Sequence, residues 1–345
     1  MFAYWQGGRL CFHNYAARQT VSSKPVAMDV LDFFDKWRRT PEAIAHFAHY
    51  TPASIRRAIR ELVAHRLLVE ENSPEARLDS RIAKEWAPWL PQGGFHFSTK
   101  DAVYVRSNWS AERLRAALPD TPQPAKFKNV KGAPKVALPP RTFPDDEFIR
   151  VLMARKTHRE FARRDVSLEN VSQLLSLVWG ITGYLHSASF GSLPRKTSPS
   201  GGARHPGEVY LMALRVKGLK PGLYHYQPAQ HRLEMIRTGA TRAKASQYCA
   251  HQDYAGKAGA LFLMTAVFAR SMWKYHKPRA YRVVLLDAGH LCQTFCLVAT
   301  WLGLAPFCTA ALKDTMIEQD LGIDGVRESV LYVAGVGIPA PASAP

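Results

Sequence analysis

The 345-residue sequence predicts an α+β fold, and three observations carry that expectation. Three short helical signals follow one another between Val30 and Val63, two of them apolar residues at helical spacing and one a capped helix start. A proline- and lysine-rich segment at 119–144 then breaks the pattern. Beyond Asp145, helix-period and strand-period stretches are mixed along the chain. At roughly 150 residues per domain the length suits two domains. The expected division is a first unit at 1–95, a linker or strap at 96–145 and a second unit at 146–345. A content of 47% apolar and 21% charged residues excludes disorder along the whole chain.

In the first unit, Arg9–Tyr15 and Gln19–Ser22 read as strands. Leu31, Phe34 and Trp37 place a helix over Val30–Trp37. Thr40-Pro41-Glu42 is a helix start, a capping hydroxyl followed by proline at the first helical position, and the helix runs to about His49. Thr51-Pro52 repeats the device, and Ile55, Ile59, Leu62 and Val63 form one apolar stripe behind it. Leu67-Leu68-Val69 reads as a strand. Three short helices and then a strand make a winged-helix pattern. Arg56, Arg57 and Arg60 lie off the apolar stripe, where a recognition helix would carry its phosphate contacts. Against DNA stands the expected wing, Glu70-Glu71-Asn72, which is acidic. Packing or peptide docking is the better use of that helix.

The linker interleaves Pro119, Pro122, Pro124, Pro134, Pro139, Pro140 and Pro144 with Lys126, Lys128, Lys131 and Lys135, which predicts an extended strap. In the second unit, helices are expected at Asp146–Ala154, Ser167–Trp179, Arg242–Ala250 and Arg282–Leu302. Strands are expected at Glu208–Val216, Gly222–Tyr226, Arg232–Ile236, Ala260–Ala269 and Ser329–Val336, the second and third joined as a hairpin across Gln227-Pro228.

The formal net charge is +18, which points to an anionic partner. Residues 1–95 hold +3 of it, 96–145 hold +5 and 146–345 hold +10. The likeliest DNA binder by pattern is therefore the least basic part. Met1 to Tyr15 has no basic start followed by an apolar run, so no cleavable signal peptide is expected. Val283–Leu304 is interrupted by Asp287, His290 and Gln293 and reads as a buried helix rather than a membrane span. Five cysteines form no disulfide framework. Cys292 and Cys296, one helical turn apart, offer half a metal site that no pair at ligand spacing completes, so no metal is expected. A cytoplasmic protein is the resulting expectation.

Three stretches carry chemistry. Arg155-Lys156-Thr157-His158-Arg159 groups three cations and a hydroxyl just after a helix, a donor set suited to phosphate. Thr197-Ser198-Pro199-Ser200-Gly201-Gly202-Ala203-Arg204-His205-Pro206 is small and hydroxyl-rich, so backbone there approaches a planar ligand closely. Arg270 to Arg282 contains five cations and no acid, which would suit Lys274 as a base with Tyr275 as its proton partner. GxSxG and HExxH are both absent from the sequence.

The order of these motifs is more specific than any one of them. Arg-Lys-Thr-x-Arg-x-Phe from Arg155, Ser-Pro-Ser-Gly-Gly-Ala-Arg-His-Pro-x-Glu-x-Tyr-Leu from Ser198, Gly-Leu-Tyr-His-Tyr from Gly222, Lys274-Tyr275 with Arg279-Ala-Tyr-Arg282, and Leu285-Leu-Asp-Ala-Gly-His-Leu-x-Gln293 follow one another. Over about residues 146–339 this resembles the SagB-type dehydrogenases of the FMN-dependent nitroreductase superfamily. The resemblance implies a nitroreductase-like FMN-binding fold, an antiparallel-rich sheet with a long central helix, assembled as an interlocked homodimer with its flavins at the subunit interface. It implies that Arg155, Thr157 and Arg159, with Lys156 nearby, hold the FMN phosphate. Ser198, Pro199, Ser200, Gly201, Gly202 and Arg204 would lie along the flavin, and Lys274 and Tyr275 would be catalytic. The implied reaction is oxidation of an azoline heterocycle to the azole in a ribosomally made peptide, beside a cyclodehydratase. The alternatives are an NAD(P)H-dependent nitro- or quinone reductase and a winged-helix regulator with a flavin redox sensor. The first unit also looks like winged-helix modules of peptide-modifying enzymes, some of which dock a leader peptide as an added strand. The chain departs from the superfamily pattern at Phe307-Cys308-Thr309-Ala310-Ala311, where a Gly-Gly pair is usual, and in lacking a C-terminal basic residue.

Overall fold

The computed structural model describes residues 1–104, 111–116, 125–128, 131–140 and 142–341. It opens with an antiparallel meander, β1 (Phe2–Gln6), β2 (Arg9–Asn14) and β3 (Gln19–Ser23), ordered β1-β2-β3. Helices α1 (Val26–Phe33), α2 (Thr40–His46) and α3 (Pro52–Ala64) follow. The Thr51 hydroxyl caps α3 by accepting from Ser54 N, as its sequence predicts. Leu10 and Phe12 of β2 pack with Val30, Ala43, Phe47, Ile55 and Leu62 in one small core.

Two expectations fail here. The first helix begins at Val26 and ends at Phe33, leaving Trp37 exposed. Leu67-Leu68-Val69 forms no strand. Arg66 takes a left-handed φ of 56°, and the amides of Leu67 and Leu68 both return to the Leu62 carbonyl. The apolar run thus closes the end of α3 and buries Leu67 in the small core instead of pairing. The sheet precedes the helices, and Glu70-Glu71-Asn72 leads into the next helix, α4 (Pro74–Glu85).

A short 3-10 turn at Ala87–Trp89 joins α4 to α5 (Leu90–Ser98). Trp86, Trp89 and Phe97 are buried together with Phe268, Met272, Tyr281 and Val284 of the later chain. The Trp86 indole donates to Val326 O at 2.9 Å and the Trp89 indole to Tyr275 O at 2.7 Å. Lys100 and Glu318 add a buried ion pair at 2.5 Å. These contacts join the N-terminal elements firmly to the rest. Helix α6 spans Ala111–Ala116. The described strap residues 125–128, 131–140 and 142–144 are exposed and without regular structure, while Pro119, Pro122 and Pro124 lie outside the described residues.

The larger part contains α7 (Glu147–Ala154), β4 (Val166–Ser167), α8 (Leu168–Trp179), the hairpin β5 (Gly183–Ser187) and β6 (Gly191–Arg195), and β7 (Gly207–Ala213). Then come β8 (Val216–Lys217), β9 (Gly222–Gln227), β10 (Arg232–Thr238), α9 (Arg242–Tyr248), α10 (Asp253–Lys257) and β11 (Ala260–Val267). The chain continues through α11 (Ala269–Met272), α12 (Tyr281–Trp301), β12 (Ala305–Thr309), α13 (Asp314–Leu321) and β13 (Glu328–Gly337). Six strands make one antiparallel sheet ordered β10-β9-β7-β11-β13-β12.

Strand β11 is buried along almost its whole length, as its unbroken apolar run requires of a central strand. Cores form on both faces of the sheet. Although Pro278–Trp301 is long and apolar enough to cross a membrane, α12 packs against α8, β7, β12 and β13 as a core helix. Leu285 and Leu286 remain exposed on its outer side.

Candidate active site

The turn between β6 and β7 is built on α12. Ser198 is buried, its hydroxyl 2.7 Å from that of Thr294. Ser200 Oγ donates to Asp287 Oδ2 at 2.5 Å, and Gly201 N donates to Asp287 Oδ1 at 3.3 Å. The Ser200 oxygen also accepts from His205 N at 2.9 Å. One buried carboxylate therefore anchors the centre of the loop. The sequence showed it only as a polar interruption in a helix and as a member of the Leu285–Gln293 motif, with no role of its own. Burial pushes the Asp287 carboxyl above the ordinary aspartate range, while the Ser200 and Gly201 donors pull it back.

The loop backbone is strained. Gly202 has φ of 63°, and the non-glycine residues Ala203 and His205 have φ of 54° and 43°. A Cβ on Gly201 would overlap Val283. A Cβ on Gly202 would overlap the Tyr275 hydroxyl and lie 3.0 Å from Lys274 Nζ. Two stretches far apart in sequence, 198–204 and 274–275, thus meet at one point. Both Lys274 and Tyr275 are half-buried there, and Lys274 Nζ sits 4.3 Å above the Phe190 ring. Arg204 donates from Nε to Gly202 O at 3.2 Å and lies over both Phe190 and Trp273, rings that meet edge-on at 5.9 Å. Phe190, at the tip of the β5–β6 hairpin, and exposed Trp273 went unnoticed, because no sequence spacing brings a hairpin tip to this loop.

A cleft of about 350 Å³ adjoins the loop, lined by Lys196, Arg204, His205, Glu208, His225 and Arg270 among others. Arg270 is paired with Glu208 at 2.5 Å. The cationic segment 270–282 therefore has an acidic partner after all, supplied by β7 and invisible in the segment's own sequence. Burial lowers Lys196 from the ordinary lysine range, partly offset by Glu208. Burial, reinforced by Lys196, lowers His205 to about 4.

Arg155, Lys156, Thr157 and Arg159 lie beyond the end of α7, fixed by a bond from His158 N to Pro306 O at 2.9 Å. Lys156, Thr157 and Arg159 are exposed, and Arg159 lies 5.7 Å from the centre of the Tyr254 ring. This set sits by Cys296 and Cys308, near the far end of α12. Asp287 and Cys296 are nine helical steps apart, about 13.5 Å along the axis at 1.5 Å per residue. No bond joins the basic set to the 198–204 loop among the described residues.

An antiparallel sheet carrying a long central helix, with a glycine loop pressed against that helix, is the frame of this site. Residues 152–338 match the Nitroreductase family, and the chain belongs to that family. The family generally binds FMN. The guanidinium, ammonium and hydroxyl groups of 155–159 are donors of the kind a phosphate takes, and the Gly201–Gly202 backbone is a separate surface on the same chain where no Cβ stands. The chain is 34% identical over 171 residues to the trifolitoxin-processing protein TfxB of Rhizobium leguminosarum bv. trifolii, spanning 48% of this chain and 46% of TfxB. It is 30% identical over 148 residues to the microcin B17-processing protein McbC of Escherichia coli, spanning 41% of this chain and 54% of McbC. It thus spans about half the length of these curated relatives. The E. coli microcin synthetase McbBCD complex with truncated pro-MccB17 bound is 22% identical, with a TM-score of 0.48, over 78% of this chain and 95% of that one.

Proposed function

We propose that the chain is an FMN-dependent dehydrogenase of SagB type that oxidises azoline heterocycles to azoles in a ribosomally made peptide. The observation that carries this reading is the placement of Lys274 and Tyr275 against the Gly201–Gly202 loop. A base and a hydroxyl held against the glycine loop suit removal of a proton next to the atom that loses a hydride. Relatives that process trifolitoxin and microcin B17 support a peptide as substrate.

Bound FMN supplies the hydride acceptor. Arg155, Lys156, Thr157 and Arg159 would hold its phosphate, and Ser198, Pro199, Ser200, Gly201, Gly202 and Arg204 would lie along its ring and ribityl chain. Lys274 or Tyr275 takes the Cα proton of the azoline. The exposed outer side of α12, with Leu285 and Leu286, suits the helix-to-helix contact of a homodimer, and a flavin at that interface would reconcile the separation of the basic set from the loop. The N-terminal meander leaves β3 as an edge strand beside a groove of about 610 Å³ between β3, α1 and α3. A leader peptide added there as a fourth strand is the partner this module suits. A cyclodehydratase that makes the azoline is the partner enzyme. A cytoplasmic setting agrees with five free thiols.

The test is an absorption spectrum of the purified protein followed by incubation with an azoline-containing peptide in air. A flavin spectrum, oxygen consumption and a two-hydrogen mass loss from the peptide are expected without nicotinamide. Flavin bleaching by NADPH with no change in the peptide would reassign the protein as a reductase. Arg159→Ala should emerge from purification largely free of flavin. Lys274→Ala should keep its flavin and lose turnover, and undiminished turnover would remove Lys274 from the reaction.

A further inference from the structure

Cys292 and Cys296 are one turn apart on α12 and therefore share a face. Helix α12 ends at Trp301, and the chain turns back into β12. In that strand Phe307 is buried in the core on one side of the sheet, while Cys308 packs on the other side, toward α12. The fold thus supplies a third thiol that local spacing could not. The three sulfurs lie within 4.8 Å of one another. The Tyr332 hydroxyl donates to Cys308 Sγ at 3.2 Å, and Arg155 lies close enough to act electrostatically on Cys296 and Cys308. Cys292 and Cys296 are buried and Cys308 is half-exposed, so the cluster is closed on the core side and reachable from the strand side.

We propose that Cys292, Cys296 and Cys308 form a binding site for a single thiophilic d10 cation, Zn(II) or Cu(I). Three sulfur donors with no carboxylate or imidazole in the group select soft ions over Mg(II), Ca(II) or Mn(II). A zinc–sulfur distance of about 2.3 Å in tetrahedral geometry sets neighbouring sulfurs about 3.8 Å apart, inside the 4.8 Å within which the three sulfurs lie. Binding exchanges three S–H bonds for three metal–sulfur bonds, releases three protons to solvent and changes no oxidation state. The product carries a charge of −1 with Zn(II) or −2 with Cu(I). The guanidinium of Arg155 offsets part of that charge, and the Tyr332 hydroxyl stabilises the Cys308 thiolate from outside the coordination sphere. The ion would tie the end of α12 to edge strand β12 directly behind the basic 155–159 stretch.

The experiment uses the full chain, reduced under anaerobic conditions and stripped with a chelator. Separate samples receive Zn²⁺ alone, Cu⁺ alone or Mg²⁺ alone, pass through gel filtration and are analysed for metal. About one equivalent of Zn²⁺ or of Cu⁺ should stay with each chain, the retained ion deciding between the two, and Mg²⁺ should wash out. Cys308→Ser should lose the retained ion, while Cys11→Ser, at a thiol beside Ser22 in the N-terminal meander, should keep it. Alkylation of the wild-type chain gives a reading independent of any variant's folding: the retained ion should shield Cys308 from iodoacetamide and Mg²⁺ should not. Retention of neither ion, retention unchanged in Cys308→Ser, or unchanged alkylation of Cys308 would each overturn the assignment.

Discussion

Asp287, which the sequence placed in a motif but gave no role, anchors the candidate site's glycine loop. Its two oxygens take the Ser200 hydroxyl and the Gly201 amide, and the same serine oxygen accepts the His205 amide. Removing the carboxylate leaves a buried hydroxyl and an amide unpaired, which costs about 1–3 kcal/mol locally and frees the loop. Asp287→Ala is therefore expected to fold and lose most of its bound flavin. Asp287→Asn keeps an acceptor at the same place and should retain more. The ratio of flavin to protein in the two purified variants checks this, and equal occupancy would separate Asp287 from cofactor binding.

At the scale of elements, the turn after α4 holds the segment that contains the candidate base. The buried Trp89 indole donates to the Tyr275 carbonyl at 2.7 Å, so an N-terminal element sets the backbone on which Lys274 and Tyr275 stand. Trp89→Phe preserves most of the packing and deletes that bond. Its expected result is a lower kcat with flavin content and KM close to wild type, whereas unchanged kcat would make the bond merely structural. Trp86→Ala should behave differently. It empties a fully buried site shared with Phe97, Phe268 and Tyr281 and should destabilise the protein by about 3–5 kcal/mol, read as a lower urea midpoint.

Across the whole molecule, His96 links the two parts and makes their union sensitive to acid. It stacks on Trp86 and bonds Tyr281 Oη through Nδ1 at 2.9 Å. Burial, with the charge of Lys100 adding to it, pushes its pKa from 6.5 down to about 3. A folded value below the unfolded one means that the stabilisation is present above pH 6.5 and is lost as the pH falls toward about 3. Urea midpoints at pH 7 and pH 4 should therefore differ more for the wild type than for His96→Gln. Identical differences would show that other groups govern the acid limb.

The sequence by itself determined the mixed α+β class, the apolar central strand β11 and the long helix α12 to within a residue at each end, and it singled out 155–159, 198–204 and 274–275 as candidates. Each of these rests on local chemistry: a period, a cap, or a run of one donor type. The short hairpin β5–β6 and the edge strand β12 escaped notice because few residues specify them and their pairing partners supply the rest. The expected strand at 67–69 failed for the converse reason, since a local apolar run does not say whether it will pair or cap. Tertiary structure alone decided that Asp287 anchors the glycine loop, that Lys274 and Tyr275 stand over it, that Glu208 answers Arg270, and that Cys308 joins Cys292 and Cys296. All four are contacts between residues far apart in the chain. Only packing helix against sheet brings such residues within bonding distance, and no spacing along the chain encodes it.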